Sequence, residues 1–214
     1  VAKRVKLMDF VNAKTRGVKA IILDEGDSLI KTEFVTADDD VMIVTRNGKG
    51  LRTAVSEIRT MGRATHGVRG IKLMGSDEVI GLVRVDNSNS ILMITEKGLG
   101  KKVRFSDFMA HGRGTMGQNI YTLSEGDGLV NALPVNDDND VIFITLKGQI
   151  IRVHVRDINL LGKTAKGVIV ARFKKKDDKI NAMTTTGYQE EEGEPSESEG
   201  NAPENQVMQP AETE

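Results

Sequence analysis

The sequence predicts an all-β, propeller-like protein assembled from four-stranded blades. Three observations predict it: self-similarity with a period of 50 residues, four strand-forming segments in each period, and Gly and Asp turns between those segments. VMIVTRNGKGLRTAVSEI (41–58), ILMITEKGLGKKVRFSDF (91–108) and VIFITLKGQIIRVHVRDI (141–158) align without a gap. Thr45, Thr95 and Thr145 share one column and Gly48, Gly98 and Gly148 another; Gly67, Gly117 and Gly167 continue the register downstream. One four-stranded sheet cannot bury both of its faces, so repeated sheets of this kind stack around an axis.

Within a unit the elements follow in order. An apolar run such as VIFIT reads as a strand buried on both faces, a Gly turn follows, and the alternation in IIRVHVRDI reads as a second strand. A loop of about nine residues leads to a third strand (VRGIKLM, QNIYTL), and an Asp/Gly turn leads to a fourth (EVIGLVRV, GLVNALPV). This divides the chain into a partial first repeat, 1–37, and repeats at 38–87, 88–137 and 138–187. The opening VAKRVKLMDF matches LGKKVRFSDF but lacks the first strand and Gly turn, as expected of a fragment that begins inside a unit. Propellers of the WD and kelch types are poor matches, because the chain has no Trp and its Tyr residues are Tyr121 and Tyr188.

Composition adds a charge asymmetry. The 214 residues carry a formal charge of −1, but positions 188–214 hold nine Glu and three of the four Pro with no Lys or Arg. The remaining body has 30 basic against 22 acidic residues, a net charge of +8. Such a division predicts a folded, polyanion-binding body and a disordered acidic tail. The absence of Cys removes disulfides, thiolate metal sites and Cys nucleophiles, and fits a reducing compartment. No apolar run approaches membrane-spanning length and no signal-peptide pattern is present.

One motif points elsewhere. GRGTMG (112–117) has the Gly-x-Gly-x-x-Gly spacing of dinucleotide-binding loops. That chemistry needs a helix opening directly from the motif, whose terminus supplies amide donors and a dipole to a pyrophosphate. QNIYTL follows instead and reads as a strand. The equivalent loops are GRATHG (62–67) and GKTAKG (162–167), so Gly114 is read as a coincidence within a recurring Gly, basic residue, variable triplet, Gly pattern.

Two basic columns recur with the glycines. Arg4, Arg52, Lys102 and Arg152 lie on the second strand, while Arg63, Arg113 and Lys163 lie in the loop. Lys49, Lys101, Lys166, Lys19 and Arg69 flank them. Charge of one sign repeated at every unit makes a stripe around a ring, a polyanion-binding surface; a merely solvated face is the other reading. The acidic columns, Asp9, Glu57, Asp107 and Asp157, and Asp27, Asp77, Asp127 and Asp177, recur in every unit and are read as structural, as is the Thr column. His66, His111 and His154 have no metal-ligand spacing. The lack of aromatic platforms points to duplex backbone, not exposed bases.

ITEKGLGKKVRFSDF, THGVRGIKLMGSDEVIGLVRV and TLKGQIIRVHVRDINLLGKTAKGV closely resemble the C-terminal domain of the DNA gyrase A subunit, over about residues 1–187. In that family the repeats form a six-bladed β-pinwheel whose basic rim bends and wraps duplex DNA. The resemblance implies three complete repeats and part of a fourth, with Arg52, Arg63, Arg69, Lys101, Lys102, Arg113, Arg152 and Lys163 on the rim. It further implies partnership with the gyrase B subunit, plus a second A subunit, in an A2B2 heterotetramer of the bacterial cytoplasm, associated with the nucleoid. ATP and Mg2+ are implied for that holoenzyme, with no cofactor bound by this fragment. The family's catalytic Tyr and metal-binding carboxylates lie in other regions, so no catalytic residue is assigned here. The gyrase-specific Q-R-R-G-G-K-G box of the first blade does not occur, which leaves topoisomerase IV as an alternative. A propeller-like protein-interaction scaffold is the alternative from a different class.

Overall fold

The structure, a computed structural model, describes residues 1–175 and 177–187; the expected acidic tail, 188–214, lies outside them. Eleven strands are described: β1 (Asp40–Thr45), β2 (Lys49–Ala54), β3 (Val79–Arg84), β4 (Ser90–Thr95), β5 (Leu99–Arg104), β6 (Gln118–Asn119), β7 (Leu129–Val135), β8 (Asn139–Thr145), β9 (Ile150–His154), β10 (Val168–Ile169) and β11 (Ile180–Gly187). They form three antiparallel sheets with the orders β3-β1-β2-β6, β10-β5-β4-β7 and β11-β8-β9. Among the described residues no helix is long and apolar enough to cross a membrane.

The apolar runs form the central strands because they face a core on either side. In β4, Ile91 and Met93 pack with Met42, Val44 and Val83 of the first sheet. Leu92 and Ile94 point the other way, against Val141, Phe143 and Met183 of the third. A strand alternates its side chains between faces, so burial of both faces demands an unbroken apolar run. The second strands stop earlier than their alternation suggests. Val55–Glu57, Phe105–Asp107 and Val155–Asp157 each form a 3-10 turn whose first residue is buried, and Ile58, Phe108 and Ile158 just beyond are buried too.

The third strand departs from expectation in both place and length. It leaves its own unit and joins the outer edge of the preceding sheet: Gln118 pairs with Gly50 and Asn119 with Lys49, then Val168 with Gly100 and Ile169 with Leu99. Val68 makes the same move as an isolated bridge to Ala2 of the partial first unit. The pairing lasts one or two residues and not the six or seven of VRGIKLM or QNIYTL, because the chain must then cross to the opposite edge of its own sheet to make the fourth strand. Those fourth strands, β3, β7 and β11, lie together at the inner edges. They line a cavity of about 320 Å3 with Ile30, Lys31, Leu82, Asn131, Leu133 and Thr184 among its walls. The exchanged strands and the loops before them are therefore outermost.

The Thr and Asp columns, read separately from sequence, meet in two of the units, while in the unit between them Asp127 accepts only backbone amides, from Lys97 and Gly128. Thr45 Oγ1 donates to Asp77 Oδ2 (2.7 Å), and the other carboxylate oxygen accepts from the Asn47 amide (2.9 Å), tying the Gly turn to the turn before the fourth strand. In the last unit the partner is Asp178, not Asp177: Thr145 Oγ1 donates to Asp178 Oδ2 (2.7 Å) and the Lys147 amide to its Oδ1 (3.0 Å). Thr45 pairs with Val79 but Thr145 with Ile180, so the turn holds one extra residue and the Asp177 column is corrected by one position. Asp177 absorbs the insertion with φ 58°.

Candidate nucleic-acid interface

Strand exchange seats each loop on its neighbour. The amide of Ile22 donates to Thr65 O (3.1 Å), that of Lys72 to Thr115 O (2.9 Å) and that of Thr122 to Ala165 O (3.4 Å). Loops 62–67, 112–117 and 162–167 thus stand in a row, one per unit, along the outer edge. Gly117 and Gly167 close their loops with φ of 69° and 77°. A Cβ on Gly117 would run into the backbone of Gly50, so only glycine lets the chain cross the preceding sheet here.

GRGTMG is followed by β6, with no helix to receive a pyrophosphate. Gly114, however, is no coincidence. It has φ 79°, and its amide donates to Gly70 O (2.6 Å), a conformation that Ala64 and Thr164 do not share. The cause lies one unit earlier. Lys101 sends its ammonium to the carbonyls of Gly162 (3.0 Å), Lys163 (2.7 Å) and Ala165 (2.7 Å), and Lys3 likewise reaches Arg63 O and Thr65 O (3.0 Å). The middle unit has Leu51 in that column, so loop 112–117 has no ammonium to fold around and closes through Gly114.

The second-strand basic column is largely spent inside the protein. Arg52 pairs with Asp40 (Nε to Oδ2, 2.7 Å) and donates to Phe105 O of the next unit (3.0 Å), leaving its side chain 14% exposed. Lys102 is 5% exposed and meets Asp137 (2.5 Å); Lys101 is 0% exposed. Lys101 and Lys102 present no ammonium to a phosphate and are withdrawn from the set of rim contacts, and Arg52 acts chiefly as an interblade clasp. Arg152 is paired with Asp140 (Nε to Oδ2, 2.7 Å) but its side chain stays 46% exposed. Burial pushes the Asp140 carboxyl up, yet the hydrogen bonds and charges of Arg152 and His154 outweigh it and hold the group below the usual carboxylate range.

The loop column reaches the surface unevenly, with Arg63 and Lys163 half-buried. Arg113 is exposed and held from behind, Nε donating to Glu57 O (2.9 Å) and Nη1 to Arg69 O (3.3 Å). Arg69 is exposed beside it. Arg63 lies over the Phe10 ring, 6.0 Å from its centroid, and Lys163 Nζ donates to Gln118 Oε1 (2.9 Å). The exposed cations Arg59, Lys72 and Arg172 extend this surface. Recurrence could not flag Arg59, whose column continues as Met109 and Asn159; Lys72 and Arg172 were detectable, since they share a column interrupted once by Thr122. Among the described residues, no group of three or more His, Asp or Glu is arranged to hold a metal ion.

A propeller-like disc whose outermost strands are exchanged between neighbouring blades is a β-pinwheel. The family described as DNA gyrase C-terminal domain, beta-propeller, matches residues 1–36, 39–86, 89–136 and 139–186, and the chain belongs to that family. The DNA gyrase A subunit of Treponema pallidum (strain Nichols) is 49% identical over 63 residues, 29% of this chain and 8% of that protein. Its counterpart from Kosmotoga olearia is 42% identical over 62 residues, 28% of this chain and again 8% of that protein. The matched stretch is thus a small part of these relatives' length. Among solved structures, a DNA gyrase A C-terminal domain superposes with TM-score 0.76 at 25% identity, over 86% of this chain and 61% of that one. A DNA topoisomerase IV C-terminal domain superposes with TM-score 0.81 at 19% identity, over 87% and 58%, a likeness of fold.

Proposed function

We propose that this pinwheel binds duplex DNA along its outer edge without reading sequence, as the DNA-wrapping part of a gyrase A subunit. The observation that carries the reading is the row of loops, each presenting one cation (Arg63, Arg113, Lys163) and each anchored to the unit before it. Cations spaced along a curved edge neutralise successive phosphates and release counterions. They can thereby offset a bending cost on the order of 1–6 kcal/mol for a 20–30 base-pair segment turned through 40–90°. The interblade clasp of Arg52 keeps the edge stiff, so the DNA deforms and the protein does not.

Wrapping of one hand would present a neighbouring DNA segment to a strand-passage gate, the geometry that ATP-driven negative supercoiling requires. Cleavage, ATP hydrolysis and Mg2+ binding are assigned to the other parts of an A2B2 enzyme in the bacterial cytoplasm, with the B subunit, plus a second A subunit, as partners. Curated relatives named as gyrase A subunits favour gyrase over topoisomerase IV.

The test is binding of a 30-base-pair duplex over a salt series, comparing the chain with its Arg63→Ala, Arg113→Ala and Lys163→Ala variants. Affinity that falls steeply with salt, with a slope shallower by about one for each phosphate contact removed, is expected. Unchanged affinity in all three variants overturns the reading, and salt-insensitive binding of a protein partner would favour a scaffold.

A further inference from the structure

Several surface cations of this protein face a carboxylate: Arg46, Arg84, Arg152 and Lys179 are each paired with one. Arg69 and Arg113 are exposed and, among the described residues, pair with no acid. They rise from successive units at one junction, where strand exchange lays residues 69–72 along loop 112–117. The Lys72 amide donates to Thr115 O (2.9 Å), the Gly114 amide to Gly70 O (2.6 Å) and Arg113 Nη1 to Arg69 O (3.3 Å). A Cβ on Gly114 would lie 3.7 Å from both Cγ and Cδ of Arg69, so the Arg69 stem runs beside the loop. Two of the five N–H groups of Arg113 are spent on the carbonyls of Glu57 and Arg69, which fixes the guanidinium and leaves the rest free. Arg69 donates to nothing among the described residues. Like charges at one junction repel, and an anion shared between them relieves the repulsion while taking up the free donors.

We propose that Arg69 and Arg113 form a single phosphate seat across the junction of two units, and that this seat, more than the loops on either side, fixes a duplex to the outer edge. The proposal rests on the DNA-edge reading and names the part of the edge that carries it. Arginine suits the task because its planar fork takes two oxygens of one phosphodiester at once. Arg113 supplies a fork already clamped from behind, and Arg69 a second that closes on the same phosphate. Glu57 meets Arg113 through its backbone carbonyl, and its exposed carboxylate pairs with neither arginine. Neither neighbouring junction offers the same pair. Beside loop 62–67 the counterpart of Arg69 is Lys19, and Arg63 is half-buried over the Phe10 ring. Beside loop 162–167 the counterpart is the neutral Asn119, and Lys163 is half-buried with its ammonium on Gln118 Oε1 (2.9 Å). Grip is therefore graded along the row and strongest at its middle.

The test is a double-mutant cycle on the full chain, read as binding of a duplex of about 30 base pairs over a salt series. Arg113→Ala should weaken binding severalfold and lower the salt slope by about one. Arg69→Ala should weaken it as well. The double variant should bind about as weakly as Arg113→Ala, because the untethered Arg69 acts only through the phosphate that Arg113 holds. Two separate contacts would instead multiply their losses and lower the slope by about two in the double variant, and that result overturns the shared seat. Arg63→Ala and Lys163→Ala should each cost less affinity than Arg113→Ala. Losses as large as that of Arg113→Ala overturn the proposal while leaving the DNA-edge reading intact. If none of these variants weakens duplex binding, the DNA-edge reading fails and the seat fails with it.

Discussion

Arg52 and Arg113 look alike in a repeat alignment and do different work. Arg52 bridges Asp40 and the next unit's Phe105 carbonyl from a nearly buried site, so Arg52→Ala strands a carboxylate and an interblade carbonyl. A loss of about 1–3 kcal/mol in urea unfolding is expected, with DNA affinity changed only through stability. Arg113 spends two of its donors on carbonyls and keeps its charge in solvent. Arg113→Ala should leave the unfolding midpoint nearly unchanged and lower the salt slope of duplex binding by about one. At Gly114 the requirement is conformational. A Cβ there would find its nearest neighbour at 3.7 Å, so Gly114→Ala should cost the left-handed backbone penalty alone, about 1 kcal/mol by chemical denaturation.

At the level of elements, strand exchange depends on one missing side chain. A Cβ at Gly50 would lie 2.7 Å from Met42 Cε and 2.8 Å from Ile120, the residue that follows β6 into the core. Gly50→Val should push β6 off the edge of its sheet and destabilise the protein by about 1–3 kcal/mol, seen as a lower urea midpoint and faster amide exchange at Gln118. The turn before β11 offers a test of register. Asp178 accepts from Thr145, Lys147 and Lys179, while Asp177 takes up the inserted residue. Asp178→Asn should lower the melting temperature and Asp177→Asn should not, the reverse of what column alignment suggests. The strands themselves were legible because alternation and turn residues are local. The third strand's destination was not, since Gln118 and Gly50 lie 68 residues apart and any open edge satisfies the same pattern.

Across the whole molecule, ionised carboxylates hold sheets and turns together. Asp140 and Asp178 are both held below the ordinary carboxylate range by hydrogen bonds and cations that outweigh their burial. A depressed acid releases its proton more readily in the fold than in the unfolded chain, so its stabilisation is present above about pH 4 and lost as pH falls through the folded value. The melting temperature should therefore decline in acid below pH 4, and the Asp140→Asn, Asp178→Asn double variant should start lower and decline less. Lys101 acts with the other sign. Its proton leaves near pH 8 in the fold against 10.5 for an ordinary lysine in water, so the unfolded chain binds more protons between those values and stability rises there.

The sequence by itself determined the repeat, the strand and turn order within a unit, and the recurrence of a basic loop, because each is written in residue spacing and in the conformational limits of Gly, Asp and β-branched residues. Tertiary structure alone decided which sheet receives the third strand and which cations remain in solvent. The physical reason is that pairing and desolvation are properties of distant neighbours. Lys101 and Lys163 are both single positive charges in a basic stretch until the fold brings the carbonyls of one's loop around the ammonium of the other. One is then confined as a clamp, and the other is left half-buried at the edge, bonded to Gln118.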